Sequence, residues 1–273
     1  MSYSRDMPTL NIAHRGGAAL FPENSLAAFR NAMALGCDGA ELDVQLSADG
    51  VAVVYHDARL NSGYTRQGGA WLEGRGARIK DLPLAQLRGF DIGRPRPGSD
   101  YGTQHPILQA AEGEQIPTLE EVIARVRPVT AFRLLVELKC DTGEDSADPV
   151  ALADAALAVV EKADFLSRAI FVGFDWRALM RVHQVQPKAE IWCTSNNNIA
   201  GTVPLFNIIR GLGGAGWFPH FSQLTAEAAA LARAYGLKLA AWTVNDPDEM
   251  RRLKALEVEA ICTDVPGLLQ ALE

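Results

Sequence analysis

Strand-like and helix-like segments alternate along nearly the whole chain, and this alternation leaves few folds open to it. Apolar runs typical of strands recur at 10–14, 39–46, 51–56, 132–138, 169–174, 189–194, 237–244 and 258–263. Segments with a helical spacing of apolar residues lie between most of them, at 25–36, 118–126, 148–163, 175–186, 225–236 and 246–256. A strand followed by a helix, repeated along the chain, predicts a parallel sheet.

The number of strand-like runs favours a closed barrel over an open, doubly wound sheet. A further run near 214–218 gives one more run than the eight strands of a (β/α)8 barrel. This surplus is explained if 39–46 and 51–56 form a hairpin around 47–50, because so short a turn cannot join parallel strands. We therefore predict an α/β fold, a TIM-type (β/α)8 barrel, with residues 1–273 as a single domain.

One stretch, residues 58–116, breaks the alternation. It is rich in Gly, Pro, Arg and Asp and shows little periodicity except around 82–90. Because structureless connections of this length are uncommon in compact domains, we predict an insertion that acts as a lid or binding segment. A disordered loop is the alternative.

Composition narrows the classes of function. The 33 acidic and 26 basic residues give a formal charge of −7, which argues against nonspecific binding to nucleic acid. The first ten residues lack the apolar core of a signal peptide, and no apolar stretch reaches membrane-spanning length. We predict a cytoplasmic protein without stable membrane insertion, and the sequence leaves its oligomeric state open. The four cysteines are far apart and are predicted to be buried thiols: Cys37, Cys140, Cys193 and Cys262.

The apolar, glycine-rich stretch 203–218 has two interpretations. A buried helix and strand is the favoured one. A mobile lip that meets lipid-like substrates is the other.

Residues suited to catalysis collect at the predicted carboxyl ends of strands, where barrel enzymes place their active sites. They are His14-Arg15, Glu41 and Asp43, His56-Asp57, and Glu137 and Lys139. Side chains two positions apart on a strand point to one face, so Glu41 and Asp43 share a face, as do Glu137 and Lys139.

The three carboxylates of Glu41, Asp43 and Glu137 are predicted to converge on one face. Unpaired charges inside a barrel would cost several kcal/mol, so such groups usually bind a metal, pair or become neutral. Oxygen ligands favour a hard divalent cation, Mg²⁺ or Ca²⁺. The alternative pairs Glu137 with Lys139 and turns Glu41 and Asp43 outward to water.

Two histidines are predicted to lie beside this acidic cluster. The hairpin around 47–50 places His56 opposite the strand that carries Glu41 and Asp43. His14 ends the preceding strand, so both imidazoles can reach one substrate as general acid and general base. The other histidines, His105, His183 and His220, are predicted to be structural.

Two cations suit a phosphate ligand. Arg15 supplies a planar fork of donors and Lys139 adds a point charge, while Gly16 and Gly17 allow the backbone to approach a ligand closely. The chain has no G-x-S-x-G motif and no GK[ST] phosphate loop, which weakens the serine-hydrolase and nucleotide-triphosphatase interpretations.

The motifs that contain these residues make the sequence resemble the glycerophosphodiester phosphodiesterase family over nearly its whole length. The resemblance rests on motifs in a fixed order: His14-Arg15-Gly16, Pro22-Glu23-Asn24-Ser25, Glu41-Leu42-Asp43-Val44, His56-Asp57, Ile116-Pro117-Thr118-Leu119-Glu120-Glu121, Glu137-Leu138-Lys139, Trp242-Thr243-Val244-Asn245 and Thr263-Asp264-Val265-Pro266. Two departures are the segment after His56-Asp57 and Val172-Gly173-Phe174; neither touches the proposed catalytic set.

The resemblance implies a function. It implies metal-dependent hydrolysis of glycerophosphodiesters, such as glycerophosphocholine or glycerophosphoethanolamine, to sn-glycerol 3-phosphate and an alcohol. It also implies a divalent cation on Glu41, Asp43 and Glu137, with His14 and His56 as the acid and base pair. A phospholipase D-like phosphodiesterase of lysophospholipids and a non-catalytic phosphodiester-binding barrel are the alternatives.

Aromatic side chains are candidates to line the substrate pocket: Phe174, Trp192, Trp217 and Trp242. We assign Phe174 and Trp242 to substrate binding together with Arg15 and Lys139. Burial in the barrel core is the competing interpretation, favoured for Trp192 and evenly weighted for Trp242.

Overall fold

The computed structural model describes residues 9–140 and 143–272. The strands are β1 (Leu10–Ala13), β2 (Gly39–Leu46), β3 (Ala52–Val54), β4 (Arg66–Gln67), β5 (Ala70–Trp71), β6 (Phe90–Asp91), β7 (Arg133–Leu138), β8 (Ala169–Gly173), β9 (Glu190–Ser195), β10 (Gly216–Pro219), β11 (Lys238–Ala241) and β12 (Ala260–Thr263). The helices are α1 (Leu26–Ala34), α2 (Leu84–Leu87), α3 (Asp100–Gln104), α4 (Leu119–Val126), α5 (Pro149–Lys162), α6 (Trp176–Val185), α7 (Val203–Gly211), α8 (Ala226–Ala234), α9 (Pro247–Ala255) and α10 (Pro266–Gln270).

The predicted barrel is confirmed. The main sheet has the order β1-β12-β11-β10-β9-β8-β7-β2-β3, and β1 also pairs with β2, which closes the parallel strands into a ring. The hairpin is confirmed too, because β3 lies antiparallel on β2, with Val44 opposite Val54. The strand in excess of eight is therefore an addition at the barrel rim.

Two apolar layers hold the barrel together. Inside it, residues such as Leu135, Ile170 and Trp192 fill the interior, whereas Leu134 and Val136 face the surrounding helices. Residues alternate between these layers along β7, so Glu137 follows Leu135 on the interior face. This alternation directs Glu41, Asp43 and Glu137 inward at the carboxyl ends of β2 and β7, whereas Glu190 and Lys238 form an ion pair at the amino ends of β9 and β11.

Residues 58–116 form a compact addition at the hairpin side of the barrel. The strands β4, β5 and β6 make a small antiparallel sheet, and α2 and α3 complete the segment. Its apolar side chains form their own cluster with residues of the hairpin: Val53, Tyr55, Leu60, Tyr64, Ile79, Leu87, Phe90, Ile92 and Ile116. Its action as a lid or binding segment stays a prediction.

Other expectations from the sequence can be compared with the structure. The four cysteines are free and buried, as predicted. The stretch 203–218 forms α7 and β10, with Leu205, Phe206 and Ile209 buried, so the favoured interpretation is confirmed. Across the described ranges, no helix has both the length and the apolar character that crossing a bilayer requires.

Candidate active site

Three carboxylates meet at the carboxyl ends of β2 and β7. Asp43 lies directly opposite Glu137 in the parallel pairing of these strands, and Glu41 precedes Asp43 on the same face. One oxygen of each carboxylate lies within 4.8 Å of the others, and all three side chains are buried. The interpretation that turned Glu41 and Asp43 outward to water is therefore wrong, because both side chains are only 1% exposed.

Glu41 shows why this cluster fits a cation. Its Oε1 atom is buried and has no hydrogen-bond partner among the described residues. Burial raises the pKa of this carboxyl well above its usual range, and the charges of Asp43 and Glu137 raise it further. A buried oxygen without a donor, next to two other carboxylates, suits a hard divalent ion bound by oxygen.

Asp43 is held in the charged form. Burial alone would raise the pKa of its carboxyl, but the charges of His56, Arg15 and Lys139 lower it well below its usual range. Asn24 adds to this, because its amide donates to Asp43 Oδ2 at 2.8 Å. Asn24 adopts a left-handed conformation with φ 58°, and its own Oδ1 accepts from the Asp43 backbone N–H at 3.2 Å.

Lys139 joins the cluster from β7. Its Nζ atom donates to Glu137 Oε1 at 2.8 Å and lies 3.8 Å from Asp43 Oδ1. The ion pair of Glu137 and Lys139 that the alternative interpretation expected is thus present, but it lies inside the acidic cluster. The ion pair lies beside the three carboxylates that could hold a cation, so Lys139 balances part of the negative charge there.

His14 is held by a carboxylate from the far end of the chain. It follows β1 in a short 3-10 turn, and its Nδ1 atom lies 2.6 Å from Asp264 Oδ1. The other oxygen of Asp264 accepts from the Asn245 amide at 2.6 Å. Despite burial, hydrogen bonding by His14 brings the pKa of Asp264 down to about 2. An ionised Asp264 accepts the Nδ1 proton, so Nε2 is the nitrogen available to a substrate.

His56 has a matching arrangement on the hairpin side. Its Nδ1 atom lies 2.6 Å from Asp57 Oδ1, and the Asn61 amide donates to Asp57 Oδ2 at 2.7 Å. Although burial opposes it, hydrogen bonding by His56 lowers the pKa of Asp57. Each imidazole is therefore oriented through Nδ1 by an aspartate that is itself held by an asparagine. Nε2 of His14 lies 3.8 Å from Glu41 Oε2, beside the acidic cluster.

Arg15 lies between the acidic cluster and the 58–116 segment. Its backbone, at φ 50°, turns the N–H toward Glu41 Oε2 at 3.1 Å. In the side chain, Nη1 donates to Glu23 Oε1 at 3.1 Å, and Nε lies 3.2 Å from Asp43 Oδ2 without hydrogen-bond geometry. Nη2 has no acceptor in the described part of the chain, so it can bind an anion.

Gly16 and Gly17 allow the chain to turn sharply after His14. Gly16 has φ +84°, and a Cβ there would lie 2.7 Å from Ala28 Cβ. Gly17 has φ +99° and faces Pro266. These positions face α1 and α10, so close packing of helices explains the glycines without the predicted approach to a ligand.

The aromatic candidates divide into two groups. Phe174 and Trp242 lie at the mouth of the barrel, with ring centroids 5.4 Å apart, and Lys139 Nζ lies 5.8 Å from the Phe174 ring. Trp192 fills the barrel interior, as favoured, and Trp217 packs between the barrel and its helices. Neither of these two belongs to the mouth.

An open groove continues outward from Phe174. It has a volume of about 710 Å³ and runs between the loops that precede α5 and α6. Its lining includes Cys140, Ser146, Asp148, Phe174 and Trp176. Phe174 is the candidate site residue that lines this groove.

Several residues that shape the site were not assigned a role from the sequence. Asp264, Asn245, Glu23 and Asn24 lie within motifs that carry the family resemblance, and that was the signal that could have identified them. Asn61 lies outside those motifs. His220, predicted to be structural, packs against Trp242 at the mouth with centroids 5.2 Å apart.

Known proteins resemble the chain throughout. The model of the glycerophosphoryl diester phosphodiesterase family matches residues 14–268. A glycerophosphodiester phosphodiesterase of Caldanaerobacter subterraneus subsp. tengcongensis is 29% identical over 263 residues, which cover 96% of this chain and 97% of the relative.

Solved structures agree with this match. A crystal structure from Silicibacter pomeroyi DSS-3, assigned as a glycerophosphoryl diester phosphodiesterase, has a TM-score of 0.90 and 32% identity, covering 97% of this chain and 93% of that one. An Oleispira antarctica phosphodiesterase, solved in complex with the product sn-glycerol-3-phosphate, has a TM-score of 0.78 and 28% identity. That match covers 97% of this chain and 96% of the other.

Proposed function

Since this chain belongs to the glycerophosphoryl diester phosphodiesterase family, we propose that it hydrolyses glycerophosphodiesters to sn-glycerol 3-phosphate and an alcohol, using a divalent cation and two histidines. It is a phosphodiesterase of the TIM-barrel type. Glycerophosphocholine and glycerophosphoethanolamine are the substrates we expect. The cytoplasmic location stays a prediction.

One arrangement supports this proposal above all others. Two imidazoles, each oriented through Nδ1 by an ionised aspartate, lie at the same barrel mouth as a buried carboxylate cluster and a guanidinium with a free Nη2 atom. Acid and base groups beside cationic donors are what transfer at phosphorus requires.

Glu41, Asp43 and Glu137 would hold the cation, Mg²⁺ or Ca²⁺. When bound, it would act as a Lewis acid that offsets negative charge on the phosphoryl oxygens. The orphaned Oε1 of Glu41 and the proximity of the three carboxylates support this assignment. Lys139 then keeps Glu137 in place through its 2.8 Å hydrogen bond.

Arg15 binds the phosphoryl group through Nη2, while Nη1 stays with Glu23. Lys139 adds positive charge beside the same cluster, with Nζ 3.8 Å from Asp43 Oδ1. Phe174 and Trp242 pack against the glycerol or alcohol part of the substrate, and the groove beyond Phe174 receives the larger of these groups. A substrate whose phosphoryl group is bound by Arg15 and whose glycerol or alcohol part packs on Phe174 and Trp242 would place its phosphorus within reach of both imidazoles.

The histidines move the protons in two steps. The hydroxyl next to the phosphoester attacks phosphorus and gives its proton to Nε2 of one histidine. The bond from phosphorus to the alcohol oxygen breaks, and the other histidine protonates that oxygen. Water then attacks the cyclic phosphate and gives a proton to the histidine that protonated the alcohol. The bond between phosphorus and the 2-oxygen breaks, the first histidine returns its proton to that oxygen, and sn-glycerol 3-phosphate is released. Each histidine supplies roughly 10² to 10⁴-fold as a general acid or base.

The proposal is tested by measuring glycerol 3-phosphate released from a panel of glycerophosphodiesters. Protein stripped of metal is compared with the same protein after Mg²⁺ or Ca²⁺ is restored. We expect no turnover without metal and recovery with at least one ion. A folded protein that cleaves no diester with either ion would contradict the proposal. Lysophospholipids of increasing acyl-chain length are assayed alongside, and faster turnover of those with long chains would support the lysophospholipid alternative.

A further inference from the structure

A chain of hydrogen bonds links the 58–116 segment to Arg15. Tyr101, on α3, donates its hydroxyl to Glu23 Oε2 at 3.0 Å. The other oxygen of Glu23 accepts from Arg15 Nη1 at 3.1 Å. Both oxygens of this carboxylate are thus occupied, one by the arginine and one by the tyrosine.

Glu23 depends on both donors because it is buried. Its exposed fraction is 4%, so its charge is not solvated by bulk water. A buried carboxylate that loses a donor is left with an unsatisfied oxygen and tends to reorient. A reoriented Glu23 would release Nη1, and the guanidinium would then turn about the contact between Nε and Asp43.

Tyr101 is itself rigidly held. Its ring lies between Tyr64, with centroids 4.6 Å apart, and His105, stacked at 4.1 Å. Burial and the neighbouring charge of Glu23 raise the pKa of Tyr101 well above its usual range, so the hydroxyl keeps its proton and donates it. The orientation of this donor is therefore set by the 58–116 segment.

Removing the Tyr101 hydroxyl would not detach that segment from the loop after β1. The backbone N–H of Gln109 donates to Leu20 O at 2.8 Å, and the N–H of Ala27 donates to Glu114 Oε2 at 3.3 Å. These contacts are independent of Tyr101. A change at the hydroxyl therefore affects Glu23 and Arg15 rather than the docking of the segment.

We propose that Tyr101 is a positioning residue for phosphate binding: through Glu23 it fixes the guanidinium of Arg15 so that Nη2 faces the phosphoryl group. The 58–116 segment thereby takes part in substrate recognition without contacting the reacting atoms. This inference rests on the proposed function, in which Arg15 binds the phosphoryl group.

The test compares Tyr101→Phe with Tyr64→Phe in the metal-loaded protein. Tyr64 is a matched control because it lies in the same ring stack, whereas the hydrogen bonds to Glu23 come from Arg15 and Tyr101. Titration calorimetry with sn-glycerol 3-phosphate gives an affinity, and steady-state kinetics separate KM from kcat.

We expect Tyr101→Phe to weaken sn-glycerol 3-phosphate binding and raise KM by about 5 to 20-fold, with kcat within about threefold, as loss of a hydrogen bond to a charged group implies. Tyr64→Phe leaves both constants within about twofold. Equal affinities and KM values in the two variants would overturn the inference.

A double-mutant cycle shows whether the effect passes through Glu23 and Arg15. In a Glu23→Gln background, Tyr101→Phe should weaken sn-glycerol 3-phosphate binding less than twofold, because the connection from Tyr101 through the Glu23 carboxylate to Arg15 is already lost. A full, additive effect in that background would contradict the inference. Arg15→Lys tests the proposed function separately: if it leaves phosphate affinity unchanged, the phosphate role of Arg15 fails, whatever Tyr101→Phe does.

Discussion

The Nδ1 atom of His14 lies 2.6 Å from Oδ1 of Asp264, although 250 positions separate the two residues in the sequence. His56 and Asp57, which are adjacent in the sequence, repeat the same contact at the same distance. The two imidazoles thus make the same contact through different parts of the fold. His14 meets Asp264 because β12 pairs with β1, whereas His56 contacts the residue that follows it in the chain.

The two aspartates should contribute similarly to catalysis. Asp264→Asn and Asp57→Asn each keep the shape of the side chain but favour the wrong imidazole tautomer, so kcat should fall about 10² to 10⁴-fold with a smaller change in KM. Asp246→Asn is a matched control, because Asp246 neighbours Asn245 but caps α9. Steady-state kinetics on one diester check this. A kcat within about threefold of wild type in either aspartate variant would exclude the orienting role.

Asp264 should also shape stability in acid. The pKa of Asp264 is about 2 in the fold and about 3.9 in an unfolded chain. Its charge therefore stabilises the fold fully at pH values above about 3.9. This contribution is lost as pH falls through about 2. Urea unfolding should therefore show that Asp264→Asn is less stable than wild type by on the order of 2 kcal/mol at pH 5, and by clearly less at pH 2.5. An equal difference at both pH values would contradict the assignment.

Cation binding should stabilise the protein through the acidic cluster. A ligand at about 100 times its Kd stabilises the native state by about 2.7 kcal/mol, which raises Tm by several degrees in a chain of this size. Glu41→Gln should abolish this increase because it removes a charged ligand. Glu120→Gln, at an exposed ion pair with Lys162, should keep it. Thermal unfolding with and without Mg²⁺ or Ca²⁺ measures the effect, and an equal increase in Glu41→Gln would argue against the site.

The turn after His14 should tolerate no Cβ at Gly16. Gly16→Ala combines a positive φ with a 2.7 Å approach to Ala28 Cβ, so we expect a loss of about 2 to 4 kcal/mol in the free energy of unfolding. Gly50→Ala has a similar φ, +77°, and open space around it, and should cost about 1 kcal/mol. Denaturant unfolding of both variants separates crowding from backbone strain. Equal losses would show that packing against α1 contributes nothing.

Local sequence pattern predicted the barrel and the convergence of the three carboxylates. The period-2 spacing of Glu41 with Asp43, and of Glu137 with Lys139, fixed the face on which they lie, and the hairpin around 47–50 fixed the side on which His56 lies. These inferences needed only neighbours in the chain and the rule that barrels place function at the carboxyl ends of strands.

The partners of these residues required the closed fold. Asp264 meets His14 only because β12 returns beside β1, and Tyr101 meets Glu23 only because the 58–116 segment packs on the loop after β1. No periodicity in either segment marks such a contact. The approach of Ala28 to Gly16 joins two separate elements, so the sequence does not show that packing, rather than a ligand, requires the glycine.

The most direct test of general acid and base catalysis compares His14→Ala and His56→Ala on two glycerophosphodiesters, one with an alkyl alcohol and one with nitrophenol as leaving group. A nitrophenolate departs without a proton, so the variant that lacks the acid should recover on that substrate. We predict that kcat falls at least about 100-fold in both variants on the alkyl diester, and that one of them regains most of it on the nitrophenyl diester. If either variant keeps kcat within about tenfold of wild type on the alkyl diester, the two-histidine mechanism is contradicted.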